Sequence, residues 1–139
     1  MAIIFLPIKP EYVSRILDGS KVYEYRKTLP KQNISHIVIY ASSPLKQIVG
    51  IAKVEKIIAS PVSDLWCETE MSSGITEKKF FEYFEGKEIA YAFKLTKIRR
   101  FKSSFSPFDL WSDFHIPQSF TYLRKDFFDE VLSLSFEYV

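Results

Sequence analysis

The sequence predicts an α+β fold, a small mixed β-barrel capped by helices, and three observations carry that expectation. Five segments have the apolar or alternating pattern of strands. The links joining the second, third and fourth of them are too short for helical crossovers, which argues against a doubly wound parallel sheet. The fourth segment, QIVGIAKVEKIIAS from Gln47 to Ser60, is long and carries Gly50 in its interior. A glycine there commonly marks the bend or bulge that lets a sheet curl.

In chain order, Ala2 to Ile8 is an apolar, β-branched run that reads as the first strand. Pro10 opens a helix with Tyr12, Val13, Ile16 and Leu17 at helical spacing, and Gly19 suits a C-terminal cap with positive φ. KVYEYRKTLP, beginning at Lys21, alternates well enough for a second strand, and HIVIYA, beginning at His36, is a buried third. Ser60, or Ser63 after Pro61, opens an acidic helical segment containing Val62, Leu65 and Trp66. The next helix starts at Thr76 as N-cap, turns Ile75, Phe80, Phe81 and Phe84 inward, and stops near Gly86. The last long strand is EIAYAFKLTKIRRF, with Ile89, Tyr91, Phe93 and Leu95 alternating against Ala90, Ala92, Lys94 and Thr96. Beyond it the sequence predicts a short turn or helix in PFDLWSDF, a loop in HIPQSFTYL and a final helix around Lys125 to Ser133.

The composition, 47% hydrophobic and 26% charged over 139 residues, fits one folded domain across residues 1–139. Cys67 stands alone, which excludes an internal disulfide and a multi-cysteine metal site; with only His36 and His115 beside it, neither metal nor cofactor is expected. No apolar stretch approaches the ~20 residues that cross a bilayer. A cytoplasmic protein with no membrane partner is the expectation. The net charge of +2 is too small to diagnose a nucleic-acid protein, yet its distribution is uneven. Residues 94–102, KLTKIRRFK, hold five bases and no acid, whereas residues 62–90 hold seven acids and three bases.

No phosphate-binding glycine loop, GxSxG elbow, HExxH or CxxC is present, so familiar hydrolase chemistry has no support. Cys67 beside Trp66 reads as a small buried hydrophobe and the two histidines as structural residues. The informative segment is DGSKVYEYRK, where Lys21, Glu24 and Arg26 crowd an ammonium, a carboxylate and a guanidinium just past a tight turn. Glu24 and Arg26 share a strand face, so Lys21 must remain in the turn if all three converge. Facing inward, the two strand charges must pair with each other or with a ligand, because an unpaired buried charge is strongly unfavourable.

The order of these elements, with GSKVYEYRK, IVIYASSP and the glycine-containing strand, resembles the ASCH superfamily of PUA-like barrels over most of the chain. Gly19, Lys21, Glu24 and Arg26 match that family's GxKxxExR motif without departure, and HIPQSFTYL is similar to the closing loop of PUA-like domains such as EVE. The resemblance implies a pseudobarrel of five or six strands whose cleft suits RNA or a nucleotide, with roles in RNA metabolism or coactivation. Some relatives are amidohydrolases of acetylated cytidine that use a lysine matching Lys21, and others are ribonucleases. Those amidohydrolases carry a threonine nucleophile where this chain has Glu24.

The residue types fit that implication. A bound base needs a surface to stack on, polar groups for its edge and cations for adjoining phosphates. Tyr23, Tyr25, Tyr40 and Trp66 are stacking candidates, Ser42, Ser43, Gln118 and Ser119 can donate and accept, and Lys21, Arg26 and the 94–102 run can meet phosphate. Lys21, Glu24, Arg26, Tyr40, Ser42, Ser43, Gln118 and Ser119 are thus the expected ligand-binding residues. Lys21 and Glu24 would be catalytic if the protein is a hydrolase. A regulatory interaction domain without a ligand is the remaining class.

Overall fold

Seven strands form one sheet in the computed structural model, which describes residues 1–134 and 136–138. The apolar opening run is β1 (Ala2–Ile8), and Pro10 starts α1 (Pro10–Asp18), which Gly19 ends at φ 87°. The strands β2 (Tyr23–Arg26), β3 (Ile34–Ala41) and β4 (Gln47–Pro61) follow. Next come α2 (Val62–Thr69), a single 3-10 turn over Glu70–Ser72, and α3 (Glu77–Tyr83), whose N-cap Thr76 accepts a hydrogen bond from the Lys79 N–H. After β5 (Ile89–Phe105) the chain forms α4 (Pro107–Leu110), β6 (Thr121–Leu123), α5 (Lys125–Leu132) and β7 (Phe136–Tyr138). No helix of the described residues is long and apolar enough to cross a membrane.

The strand order is β2-β5-β4-β3-β1-β6, with β7 on the far half of β5. Only β1 and β3 run parallel, joined through α1; the other pairings are antiparallel. This is the mixed α+β sheet of a pseudobarrel: β2 and β6 share no hydrogen-bonded ladder, yet the sheet curls until β2 approaches β1. Four strand spacings would hold those two strands about 19 Å apart in a flat sheet. Instead the Arg26 guanidinium donates to the Pro7 carbonyl at 2.9 Å.

Irregularities in the β4–β5 ladder accompany the curl. Register shifts fall between Ile48 and Gly50, Ile51 and Lys53, and Val54 and Lys56. A side chain at Gly50 would strike the Arg99 carbonyl, so the close approach of the two backbones there needs a glycine. Opposite the second shift, Lys97 sits at φ 49°, the extra residue of a bulge.

Three apolar clusters hold the fold. The first fills the concave side with Ile4, Leu6, Ile37, Ile39, Phe93 and Leu95, closed by Val13 and Ile16 of α1. The second packs Phe5, Val38, Tyr40 and Phe101 against Trp111, Phe128 and Val131. The third seats Leu65, Phe80 and Phe84 on Tyr25, Ala90 and Ala92.

Several sequence expectations need correction. Ala90 and Ala92 are buried and Ile89 is exposed, against the alternation expected for β5, because α2 and α3 cover one face of this stretch while the sheet interior covers the other. Neither Ser60 nor Ser63 caps α2: Ser60 and Pro61 still pair with Ala90 and Ile89 in the ladder, and the helix begins directly after Pro61. The second strand is shorter than KVYEYRKTLP, since only Tyr91 to Lys94 of β5 pair with it. The tail of HIPQSFTYL is a strand, β6, whose three residues are too few to show a pattern of their own. Cys67 lies on the exposed side of α2 rather than in the core.

Candidate functional site

The αL turn at Gly19 sends the chain back over the end of α1. Ser20 donates its N–H to Asp18 Oδ1 at 2.8 Å and Lys21 donates its own to the Arg15 carbonyl at 3.0 Å. Lys21 is thereby turned inward and is only 3% exposed. Its Nζ donates to the Ser73 carbonyl at 2.7 Å and lies 4.7 Å from the Tyr25 ring centroid and 5.2 Å from that of Tyr12. Aromatic faces attract an ammonium, and the attraction strengthens where water is excluded. Burial pulls the Lys21 pKa down to about 8, with Arg15 and Arg26 adding to the fall and Glu24 opposing it.

The segment 72–74 forms the other side of this seat. Ser72 accepts from the Val22 N–H, and the Gly74 carbonyl accepts from Arg15 Nη1 at 2.8 Å. Gly74 has φ 61°, and a Cβ there would collide with the aliphatic stem of Lys21. A left-handed backbone and a close side-chain neighbour both select glycine at this position.

Glu24 and Arg26 project from the same face of β2 and meet at 2.7 Å, Arg26 Nη2 donating to Glu24 Oε2. The Glu24 side chain is buried at 8% exposure and that of Arg26 part-buried at 16%. Arg26 thus ties the edge strand to its own carboxylate and, through Pro7, to β1. Its Nε is buried with no partner among the described residues.

These three groups border one cavity of about 640 Å³ between the C-terminal ends of β1 and β3, the start of α1, β2, and α3. Tyr12, Tyr25 and Tyr83 supply ring surface, and Ser42 and Gln118 polar edges. The charged walls are Lys9, Lys21, Arg26 and Lys79 against Glu11, Glu24 and Glu82. Glu11 and Lys79 pair across the rim at 3.7 Å, half-exposed, an interaction that contributes about 0–1 kcal/mol. Tyr25 is pinned from behind: its hydroxyl shares a 2.6 Å hydrogen bond with Thr69 Oγ1, and burial pushes its pKa up to about 12. Burial also raises Tyr83 and Tyr12 above the usual phenol value. All three rings therefore stay neutral at physiological pH.

Of the residues singled out from sequence, Lys21, Glu24, Tyr25, Arg26, Ser42 and Gln118 line this cavity. Tyr40 does not: it is buried in the second cluster with its ring 5.0 Å from that of Phe5, because its position in β3 points to the aromatic side of the sheet. Ser43 and Ser119 are exposed and lie outside the cavity wall. Tyr23 and Trp66 pack around the third cluster, Trp66 against Phe80 at 4.9 Å. The basic run is also elsewhere: Lys94, opposite Tyr23 of β2, pairs with Glu55 at 2.9 Å, and the rest of the run lies beyond the stretch paired with β2. Tyr12 and Tyr83 were not foreseen as site residues. Tyr12 reads as one more apolar position of α1, and nothing in the local sequence separates Tyr83 from its aromatic neighbours. Among the described residues no cluster of His, Cys, Asp and Glu forms a metal site.

Comparison with known proteins follows the same lines. Residues 1–112 match the family described as Domain of unknown function (DUF365). An ASCH domain-containing ribonuclease of Zymomonas mobilis is 31% identical over 138 residues, covering 91% of this chain and 87% of that protein. The crystal structure of ASCH from Zymomonas mobilis superposes with a TM-score of 0.86 at 30% identity, covering 98% of this chain and 96% of that one. The N-terminal domain of Staphylothermus marinus McrB shares the fold alone, with a TM-score of 0.59 at 13% identity over 94% of this chain and 93% of that one. With near-complete coverage at that identity, and with the Gly19, Lys21, Glu24, Arg26 signature intact, the chain belongs to the ASCH domain family.

Proposed function

We propose that this ASCH domain acts in RNA metabolism by holding one nucleotide unit of single-stranded RNA in the cavity bounded by Lys21, Glu24 and Arg26. One observation carries the reading: a buried ammonium and carboxylate and a part-buried guanidinium share a cavity of about 640 Å³ with three tyrosines. That volume lies within the range of small-molecule sites, roughly 300–1,000 Å³. Rings that stay neutral offer stacking surface to a base, worth ~1–3 kcal/mol per base. Lys9 and Lys21 have no carboxylate within ion-pair distance among the described residues, which suits them to phosphate. Ser42 and Gln118 border the same space from the opposite side as hydrogen-bonding groups. The Zymomonas relative, named a ribonuclease, supports RNA as the polymer. The setting proposed is the cytoplasm.

Binding of short single-stranded RNAs, measured against salt, tests this. Each phosphate contacted should contribute a slope of about −0.7 in log K against log salt. A flat dependence would remove phosphate from the model of binding.

A second reading, hydrolysis of the bound RNA, is favoured by Lys21, whose pKa near 8 keeps an ammonium available at neutral pH in a poorly hydrated site. Glu24 would take the proton of the attacking 2′-hydroxyl as its oxygen bonds to phosphorus, and the P–O5′ bond would break with Lys21 steadying the phosphate charge and giving a proton to the departing 5′-oxygen. Product analysis separates the two readings. RNA fragments that form with the wild type and vanish with Glu24→Gln would make the protein an enzyme, whereas binding without fragments keeps it a binder.

A further inference from the structure

The donors and acceptors of the cavity narrow the choice of base, an inference that rests on the RNA reading above. Arg26 is tied to the frame through Nη2, whose two hydrogens go to the Pro7 carbonyl at 2.9 Å and to Glu24 Oε2 at 2.7 Å, while Nη1 keeps two donors of its own. Its Nε is sealed from the cavity. Glu24 is different. It lines the cavity, its Oε2 receives Arg26, and no described residue donates to its Oε1. An ionised carboxylate only accepts, with about four lone-pair sites on its two oxygens, so most of this one's capacity is unspent inside a largely buried wall. Lys21 spends one of its three hydrogens on Ser73 and only donates.

We propose that the cavity is selective for guanine, with Glu24 accepting from the N1–H and N2 amino group of the base. Guanine alone among the four standard bases sets two donors side by side on its pairing edge. Adenine and cytosine place a ring-nitrogen acceptor beside their amino group, and uracil flanks its single N–H with two carbonyls. A carboxylate brought against any of those three edges meets lone pairs as well as hydrogens, a repulsion that costs more in a largely buried wall than in water. The O6 acceptor of guanine adjoins N1–H, and one of the two remaining hydrogens of Lys21 complements it, the other being left for phosphate. Tyr12, Tyr25 and Tyr83 line the same cavity, and a purine is the largest stacking partner among the bases.

The test is a binding panel of GMP, AMP, CMP and UMP, and of short RNAs differing at one base, against the wild type and Glu24→Gln. Wild type should hold the guanine ligand roughly ten- to hundredfold tighter than the others, the discrimination expected of one bidentate contact. Glu24→Gln replaces an accept-only edge by one acceptor and one donor, so the preference should move from guanine toward adenine. The amide can still accept from Arg26, and circular dichroism reports whether the fold is kept; if it is not, the wild-type panel decides alone. Equal affinity for all four bases, or preference for another base, overturns the guanine assignment and leaves the RNA reading standing. Failure to bind any of the nucleotides or RNAs overturns both.

Discussion

The aromatic cluster and the cavity wall are both buried, yet they are built on opposite terms. Around Phe5 and Phe101 the space is filled by rings: Trp111 stacks on Phe127 at 4.7 Å and 13°, Phe101 on Phe136 at 4.5 Å and 26°, and Phe114 tilts against Phe5 at 4.8 Å. Around Lys21, Glu24 and Arg26 the chain instead buries charge and leaves a cavity. Apolar groups lose nothing by touching, so packing proceeds until no space is left. Buried charges must each find a partner, and the groups left over on Glu24 and Lys21 demand either water or a ligand. The aromatic cluster serves stability alone, whereas the cavity wall keeps groups free for chemistry.

The largest effect that probes this division is Phe5→Ala, which should destabilise the protein by about 3–5 kcal/mol through loss of burial and creation of a cavity. Denaturant titration would measure it, and ligand affinity per folded molecule should not change. A change in affinity with little loss of stability would show that the two regions are not separable. Next is Arg26→Met, which strands Glu24 without its partner and should lower stability by about 3 kcal/mol. The double variant Glu24→Leu with Arg26→Met should recover most of that loss, since removing both charges leaves no unpaired one. If the single and double variants are equally unstable, the tie from Arg26 to Pro7 outweighs the ion pair.

The smallest effect is a pH dependence. The folded-state pKa of Lys21, about 8, lies below its ordinary 10.5, so between those values the unfolded chain carries more protons than the folded one. Stability contributed by this group therefore rises with pH through that window. Affinity for an RNA phosphate should move the other way and fall as pH passes about 8, where the ammonium discharges. Lys21→Met should flatten both slopes in melting and binding series; a variant that keeps the wild-type slopes would assign them to another group.

Much of the scaffold was legible beforehand because its signals are local. Pro10 and Gly19 mark the ends of α1, Thr76 caps α3, and the continuous apolar, β-branched run at Ile37 to Tyr40 reads as a buried strand. The cluster of Lys21, Glu24 and Arg26 was also readable, since burying three charges within six residues demands a reason. What failed to read were features set by distant partners. Ala90 and Ala92 are inward because two helices cover them, and Tyr40 faces the aromatic cluster because of its strand's place in the sheet. Tyr12 and Tyr83 line one cavity from helices far apart in sequence, and Gly74 is required by its left-handed backbone and by the stem of Lys21 that lies against it.

By itself the sequence determined the mixed α+β class, most element positions and the chemical types at the site, because backbone propensity, capping and charge burial act over a few residues. The tertiary structure alone decided that the sheet curls until Arg26 reaches Pro7, and that the resulting space is walled by tyrosines rather than by the basic run of β5. The physical reason is that closure depends on register shifts between β4 and β5 summed over their whole length, a quantity that no local stretch of sequence contains.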